Sequence, residues 1–216
     1  ANKVLEAFPD SFPGSVKAIC TGNPLRKEIS AIEIRHSERR TPIKLLIVGG
    51  SLGAKVLNEI VPAAISRLAG ISVKHQTGKA MADEVRAIYK KMGVEAEVLP
   101  FIEDMAAAYQ WADLIICRSG AMTVSEVAAA GLPGIMIPYP YAIDDHQTAN
   151  AHFLADSNAG ILIDQNDLNA EKLANEITEI LEDPKVLKEM SQAASSCARL
   201  DAAAIVADIC IQEAKR

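Results

Sequence analysis

The stretch Lys44-Leu45-Leu46-Ile47-Val48-Gly49-Gly50-Ser51-Leu52-Gly53-Ala54 holds an unbroken apolar run that stops at two glycines. An apolar run without polar alternation predicts a strand covered on both faces, the usual state of a strand in a parallel sheet. Val56, Leu57, Ile60, Ala64, Ile65 and Leu68 then recur at helical spacing until Gly70. The same alternation repeats along the chain. Strands are expected at residues 71–75, 96–99, 114–117, 135–137 and 161–163, with helices at about 81–92, 105–111, 122–130 and 146–156. Two more helices close the chain: one has Asn169 as N-cap with Leu168 and Leu173 placed as a staple, and the other opens at Asp183-Pro184. Strict alternation of strand and helix specifies a doubly wound α/β domain, a Rossmann-like parallel six-stranded sheet spanning residues 43–216. Residues 1–42 are broken by Pro9, Pro13, Gly14, Gly22, Pro24 and Pro42 and read as irregular.

The 216 residues carry 22 Lys+Arg against 28 Asp+Glu, a net charge of −6. That balance argues against broad nucleic-acid binding, which depends on cations neutralising phosphates. Half the residues are hydrophobic, which fits a globular chain. No apolar run approaches the roughly 20 residues needed to cross a bilayer, and no secretory signal is visible at the start. Cys20, Cys117, Cys197 and Cys210 are widely spaced with no CxxC pair, so reduced thiols in a cytoplasmic compartment are expected rather than structural zinc. The chain begins Ala1-Asn2-Lys3-Val4 without an initiator Met, and is expected to be a fragment whose first half lies elsewhere.

In doubly wound sheets ligands bind outside the carboxyl ends of the strands. After the first strand, Gly49-Gly50-Ser51-Leu52-Gly53-Ala54 leads into a helix, and suits either a phosphate held at the helix N-terminus or merely tight strand-to-helix packing. It is neither a P-loop nor a full GxGxxG. After the third strand, Phe101 and Ile102 could hold a flat base or belong to the core. The fourth strand leads to Arg118-Ser119-Gly120-Ala121-Met122-Thr123-Val124-Ser125-Glu126, where small residues crowd a second helix N-terminus. Glu126, one turn in, is placed to accept two ribose hydroxyls, or is a solvated helix residue. After the fifth strand, Gln147 and Asn150 share a helix face as amides suited to sugar hydroxyls. Asp144-Asp145 lacks a third ligand at convincing spacing, so no metal is expected, and His36 and His152 read as structural or solvent-facing.

In order and spacing these motifs, together with His75-Gln76-Thr77-Gly78-Lys79, Phe101-Ile102-Glu103-Asp104-Met105 and Thr21-Gly22-Asn23-Pro24-Leu25-Arg26, resemble the C-terminal half of the MurG family. These are the N-acetylglucosaminyltransferases that convert lipid I to lipid II in bacterial peptidoglycan synthesis. The resemblance covers nearly the whole chain. It implies a GT-B glycosyltransferase with a UDP-GlcNAc-binding C-terminal domain at residues 43–216. Residues 1–42 would be the end of the N-terminal domain and the interdomain linker. It also implies that Arg26 and the backbone of Ile102 serve the uridine and that Ser51 contacts the diphosphate. The helix start from Ala121 through Met122, Thr123, Val124 and Ser125 would line the nucleotide, with Glu126 on the ribose. Gln147 would take the GlcNAc hydroxyls, with Asn150 nearby. His146 stands where relatives often carry Gln. The acceptor lipid I and the catalytic base would belong to the N-terminal half, and the whole enzyme would sit peripherally on the cytoplasmic face of the inner membrane. No cofactor is implied, and no DxD metal motif is present.

Two other readings share this pattern. Another UDP-sugar enzyme of the same architecture, such as a UDP-GlcNAc epimerase, would keep the ribose Glu and differ on the sugar side. A non-catalytic nucleotide-binding module would need no partner domain. A dinucleotide-dependent oxidoreductase fits poorly, because Lys74-His75 occupies the place of the acidic residue expected about 20 positions after the first loop.

Overall fold

Leu45 and Ile47 pack into the core on one side of the central sheet, Leu46 and Val48 into the core on the other, and all four are buried. The strand at the start of the domain is thus covered on both faces, as its unbroken apolar run requires. The computed structural model of the chain describes residues 2–9, 11–34, 41–50, 54–142 and 145–215.

Among the described residues, β3 (Ile43–Val48), β4 (Ile71–Gln76), β5 (Ala96–Leu99), β6 (Leu114–Cys117), β7 (Gly134–Met136) and β8 (Gly160–Leu162) form one sheet in the order β5-β4-β3-β6-β7-β8. Every pairing in it is parallel. One face is covered by α2 (Lys55–Ile65), α3 (Ala82–Lys91), α7 (Ala170–Glu182) and the first turns of α8 (Pro184–Ser196), through Leu57, Val61, Val85, Leu173, Ile177 and Leu187. The opposite face holds α4 (Met105–Trp111), α5 (Ala121–Ala129) and α6 (His146–Ala155). The expected caps are present: Asn169 accepts from the Lys172 N–H at 2.9 Å, and Asp183 accepts from the Lys185 N–H at 2.9 Å.

The structure departs from the sequence reading at both ends of the chain. Residues expected to be irregular form β1 (Val4–Glu6) and β2 (Ala18–Cys20), which pair in parallel, and the single-turn helix α1 (Lys27–Ser30). Three-residue strands are too short to show a period. This segment packs on the domain: Phe8 and Ile29 are buried in the second core, and Phe8 lies 4.7 Å from Phe153 between ring centroids. A further helix, α9 (Ala202–Ala214), follows the two that were expected to end the chain. Within α9 only Ala202 is buried, so its apolar residues carry no clean one-sided stripe to announce it.

β7 and β8 each begin one residue earlier than expected, at Gly134 and Gly160, which are paired partners. A Cβ on Gly160 would lie 2.6 Å from the Gly134 carbonyl oxygen and 2.5 Å from Met136 Cε; one on Gly134 would lie 2.8 Å from the same methyl. The methionine side chain fills the space that the glycines leave. α5 ends in a Schellman motif at Gly131, whose φ is +61°. The Leu132 N–H donates to Val127 at 3.1 Å and the Gly131 N–H to Ala128 at 2.9 Å, while the Ser191 hydroxyl of α8 donates to the Gly131 carbonyl at 2.7 Å.

His75, fully buried on β4, lies with Nδ1 3.0 Å from the Tyr89 hydroxyl. Burial holds its pKa at about 3, so the folded protein keeps the ring neutral where the unfolded chain would charge it near 6.5. The folded pKa is the lower one, so this contribution to stability is complete above about pH 6.5 and is lost as the pH falls. Between pH 7 and pH 5 the loss is about 2 kcal/mol. Urea unfolding of wild type and His75→Gln at both pH values should show that much less acid destabilisation in the variant; equal acid losses would show that His75 does not carry it.

Candidate functional site

The strand order reverses beside β3: the chain runs outward through β4 and β5, then returns to place β6 on the other side of β3. The loops leaving β3 and β6 therefore diverge and leave a crevice at the carboxyl end of the sheet. A cleft of about 840 Å³ opens there, lined by Gly49, Gly50, Arg118, Tyr139, Gln147 and Gln165 among others. Its volume is in the range of small-molecule sites.

On the β3 side the backbone turns at Gly50, whose φ of +83° only glycine adopts without strain. Gln76 at the end of β4 holds this turn from below: its carbonyl accepts from the Gly49 N–H at 3.2 Å and its side-chain oxygen from the Gly50 N–H at 3.2 Å. α2 begins after Ala54 without a side-chain cap. The expected diphosphate contact, Ser51, lies outside the described residues.

On the β6 side Arg118 organises the far wall. Nη1 donates to the carbonyls of Ile137 and Pro138 at 3.0 and 2.9 Å, and Nη2 to Gln165 Oε1 at 2.6 Å. The guanidinium also lies 5.5 Å from the Tyr139 ring centroid. Burial lowers its pKa, yet an arginine stays cationic, so a fixed positive charge borders the cleft. Gln147 accepts from the Tyr139 N–H at 3.0 Å through Oε1. Its carboxamide is thereby oriented with the NH₂ group left over as donor to a ligand oxygen.

The N-terminus of α5 follows β6 at the same carboxyl edge of the sheet, just beyond Arg118 in the chain. Gly120 is its N-cap and supplies no side-chain cap, so the N–H groups of Ala121, Met122 and Thr123 have no intrahelical acceptor. The Val124 N–H is already bonded to the Gly120 carbonyl at 3.0 Å and its side chain is fully buried. Three amides and a helix dipole thus face outward for an anion.

Glu126 lies away from the cleft lining, on the side of α5 that meets the N-terminal segment. It is 8% exposed and both carboxylate oxygens are engaged: Oε1 with Arg26 Nη2 at 3.1 Å, and Oε2 with the Tyr109 hydroxyl of α4 at 2.8 Å. Asn23 secures the same segment, its Nδ2 donating to the Ala121 carbonyl at 3.3 Å and to Ser125 Oγ at 3.1 Å. Ser125 is therefore committed to the contact with the N-terminal segment, and Arg26 and Glu126 are brought together as a pair.

The remaining expected residues take supporting places. Ile102 is 6% exposed, so its side chain belongs to the core and only its backbone is available. Asn150 is buried and donates to the Ser119 carbonyl at 3.0 Å, behind the α5 terminus rather than in the cleft. His146 opens α6. His152 bonds Asp156 at 3.1 Å on the surface. Cys117, fully buried at the end of β6, has its thiol pushed up to about 12 and is a packing residue rather than a nucleophile. Among the described residues no group of three His, Cys, Asp or Glu side chains is placed to hold a metal. Sequence reasoning singled out neither Tyr109 nor Gln165: the first looked like helix core and the second like loop, and only folding brings them to Glu126 and Arg118.

Comparisons with known proteins bear on the family and the fold. Residues 44–206 match the glycosyltransferase family 28 C-terminal domain. The chain is 53% identical over 216 residues to the UDP-N-acetylglucosamine--N-acetylmuramyl-(pentapeptide) pyrophosphoryl-undecaprenol N-acetylglucosamine transferase of Methylococcus capsulatus, covering 99% of this chain and 61% of that enzyme. It superposes on the crystal structure of Acinetobacter baumannii MurG with a TM-score of 0.84 and 42% identity, covering 97% of this chain and 60% of that one. The UDP-GlcNAc 2-epimerase of Neisseria meningitidis, crystallised with UDP-GlcNAc, shares the fold alone, at 12% identity and a TM-score of 0.56 over 81% of this chain and 45% of that one. The resemblance to MurG enzymes visible in the sequence is thus supported from both directions, and the chain belongs to the glycosyltransferase family 28 C-terminal domain family.

Proposed function

We propose that this chain is the donor-binding part of an inverting N-acetylglucosaminyltransferase that moves GlcNAc from UDP-GlcNAc to lipid I, giving lipid II. The observation that carries the reading is the arrangement on α5: free amides at its start and, one turn further, a buried carboxylate held by Tyr109 and Arg26. The name of the Methylococcus capsulatus relative supplies the donor and the lipid-linked acceptor. Residues 43–216 are the donor domain, and residues 1–42 end the preceding domain and lead into this one.

In this reading the diphosphate lies against the amides of Ala121 to Thr123 and the turn at Gly50, with Ser51 next in sequence. Glu126 takes the ribose hydroxyls, Arg26 and the Ile102 backbone border the uracil, and Gln147 directs its NH₂ donors at the sugar. Displacement at the anomeric carbon by an acceptor hydroxyl inverts the α-linked donor into a β-linked product. Negative charge grows on the departing UDP, and preoriented amides stabilise it there without reorganisation. The general base that takes the acceptor proton belongs to the acceptor-binding part. An undecaprenol-linked acceptor is a membrane lipid, so the whole enzyme works peripherally at the cytoplasmic face of the inner membrane. Among the described residues no helix is long and apolar enough to cross one.

Calorimetry with UDP tests the ribose assignment. Charge-assisted hydrogen bonds contribute roughly 1.5–3 kcal/mol, so Glu126→Ala should weaken UDP by about tenfold or more. Unchanged affinity would remove Glu126 from the site.

The sugar side is tested separately. Gln147→Ala should weaken UDP-GlcNAc by about 0.5–1.5 kcal/mol, the worth of a neutral hydrogen bond, while leaving UDP binding as in wild type. Equal losses for both ligands would place Gln147 elsewhere than against the sugar.

A further inference from the structure

We propose that Tyr109 is a positioning residue for the donor nucleotide: its buried hydroxyl orients the Glu126 carboxylate and thereby sets the preference for a ribose over a sugar lacking its hydroxyls. The inference rests on the reading of Glu126 as the ribose-binding residue.

The geometry is specific. Tyr109 is 2% exposed on α4, and its hydroxyl donates to Glu126 Oε2 at 2.8 Å from within the protein. Arg26, whose side chain is half exposed, reaches Oε1 from the other side at 3.1 Å. A carboxylate offers about four acceptor directions. The tyrosine occupies one on Oε2 and the arginine one on Oε1, which leaves one direction on each oxygen. Two acceptors on two adjacent oxygens match the two neighbouring hydroxyls of a ribose. Without the tyrosine, χ3 of Glu126 has a broad two-fold profile, and the carboxylate could turn so that its remaining acceptors no longer meet both hydroxyls. Orientation bought from behind by a protein donor is preorganisation: the cost of fixing the group is met on folding rather than on binding.

The donor role is permanent. Burial first, and then the adjacent Glu126 charge, raise the Tyr109 pKa well above that of a free tyrosine. The hydroxyl therefore keeps its proton throughout the range in which the protein works. The bond joins α4 to α5, so the carboxylate is braced by an element that does not itself contribute to the cleft lining.

The test uses the 216-residue chain with UDP and 2′,3′-dideoxy-UDP. Wild type should prefer UDP. Tyr109→Phe keeps the ring in the core and removes only the hydroxyl; it should reduce that preference by roughly fivefold or more with the affinity for the dideoxy ligand unchanged. In a Glu126→Ala background the same substitution should leave UDP affinity untouched. A Tyr109→Phe protein that loses affinity for both ligands equally, or that loses UDP affinity even without Glu126, overturns the proposal and makes the tyrosine a packing residue. A Tyr109→Phe protein as discriminating as wild type overturns it alone. Wild type that binds both ligands equally overturns the ribose reading of Glu126 and the proposal with it. One measurement needs no substitution. The Tyr109 hydroxyl proton, bonded to a carboxylate and shielded from exchange, should be resolved downfield by NMR both in the free protein and with UDP bound. Its loss on UDP binding would overturn the proposal, since the brace must persist in the complex.

Discussion

Covering both faces of the sheet is the constraint from which the rest follows. Leu45, Leu46, Ile47, Ile115, Ile116 and Ile135 are fully buried, and helices lie on either side of them. A ligand cannot reach the strands from above or below; it can meet them only where they end. Among those ends, the place where β3 and β6 send their loops in opposite directions is the natural opening. The same topology puts the start of α5 at that edge of the sheet. A helix start that is uncapped by its own side chains leaves amide donors in need of an acceptor. The chemistry of the site is in this sense a by-product of how a buried parallel sheet must be connected.

Rigidity around the opening comes from side chains that do not themselves contact solvent to any great extent. Gln76 fixes the glycine turn, Asn150 the residue before Gly120, and Arg118 the loop after β7 together with Gln165 beyond β8. Each of these bonds runs between segments far apart in sequence, so the opening is braced across strands rather than loop by loop. At the other end of α5 the Schellman motif at Gly131 closes the helix locally, and the Ser191 hydroxyl ties that end to α8. Groups held to within small displacements bind a charged ligand without first paying to be ordered.

The fold was legible because its signal is repeated. Six apolar runs, each followed by a helical period and most of those closed by a glycine or proline, left little freedom for any other arrangement, and β5, β6 and α4 fall where the residues placed them. The ends of the chain were not legible, since β1 and β2 are shorter than any period and α9 buries almost nothing. The site was legible in part. Glu126 and Gln147 stand out as polar residues early in the helices that follow β6 and β7. Tyr109 does not, because in sequence it sits among alanines, Ala106-Ala107-Ala108, as one more apolar helix residue. Its meaning is a distance to another helix. Val124 and Ser125 belong to the motif as text, yet one is in the core and the other bonds Asn23. Residues contiguous in a motif are separated by the 100° turn of a helix.

Gly134, Met136 and Gly160 carry a consequence for how this chain can change over time. A side chain on Gly134 would crowd only the flexible end of Met136, with Ile115 at ordinary contact distance, whereas one on Gly160 would meet the Gly134 carbonyl, which cannot move without breaking the sheet. The three positions therefore differ in their evolutionary freedom. Gly134 can acquire a methyl group if Met136 is shortened first, so the order of the two substitutions matters, and the reverse order passes through an overpacked intermediate. Gly160 is closed to every path. Lineages carrying this domain should explore Gly134 and Met136 as a coupled pair while the glycine opposite them stands still.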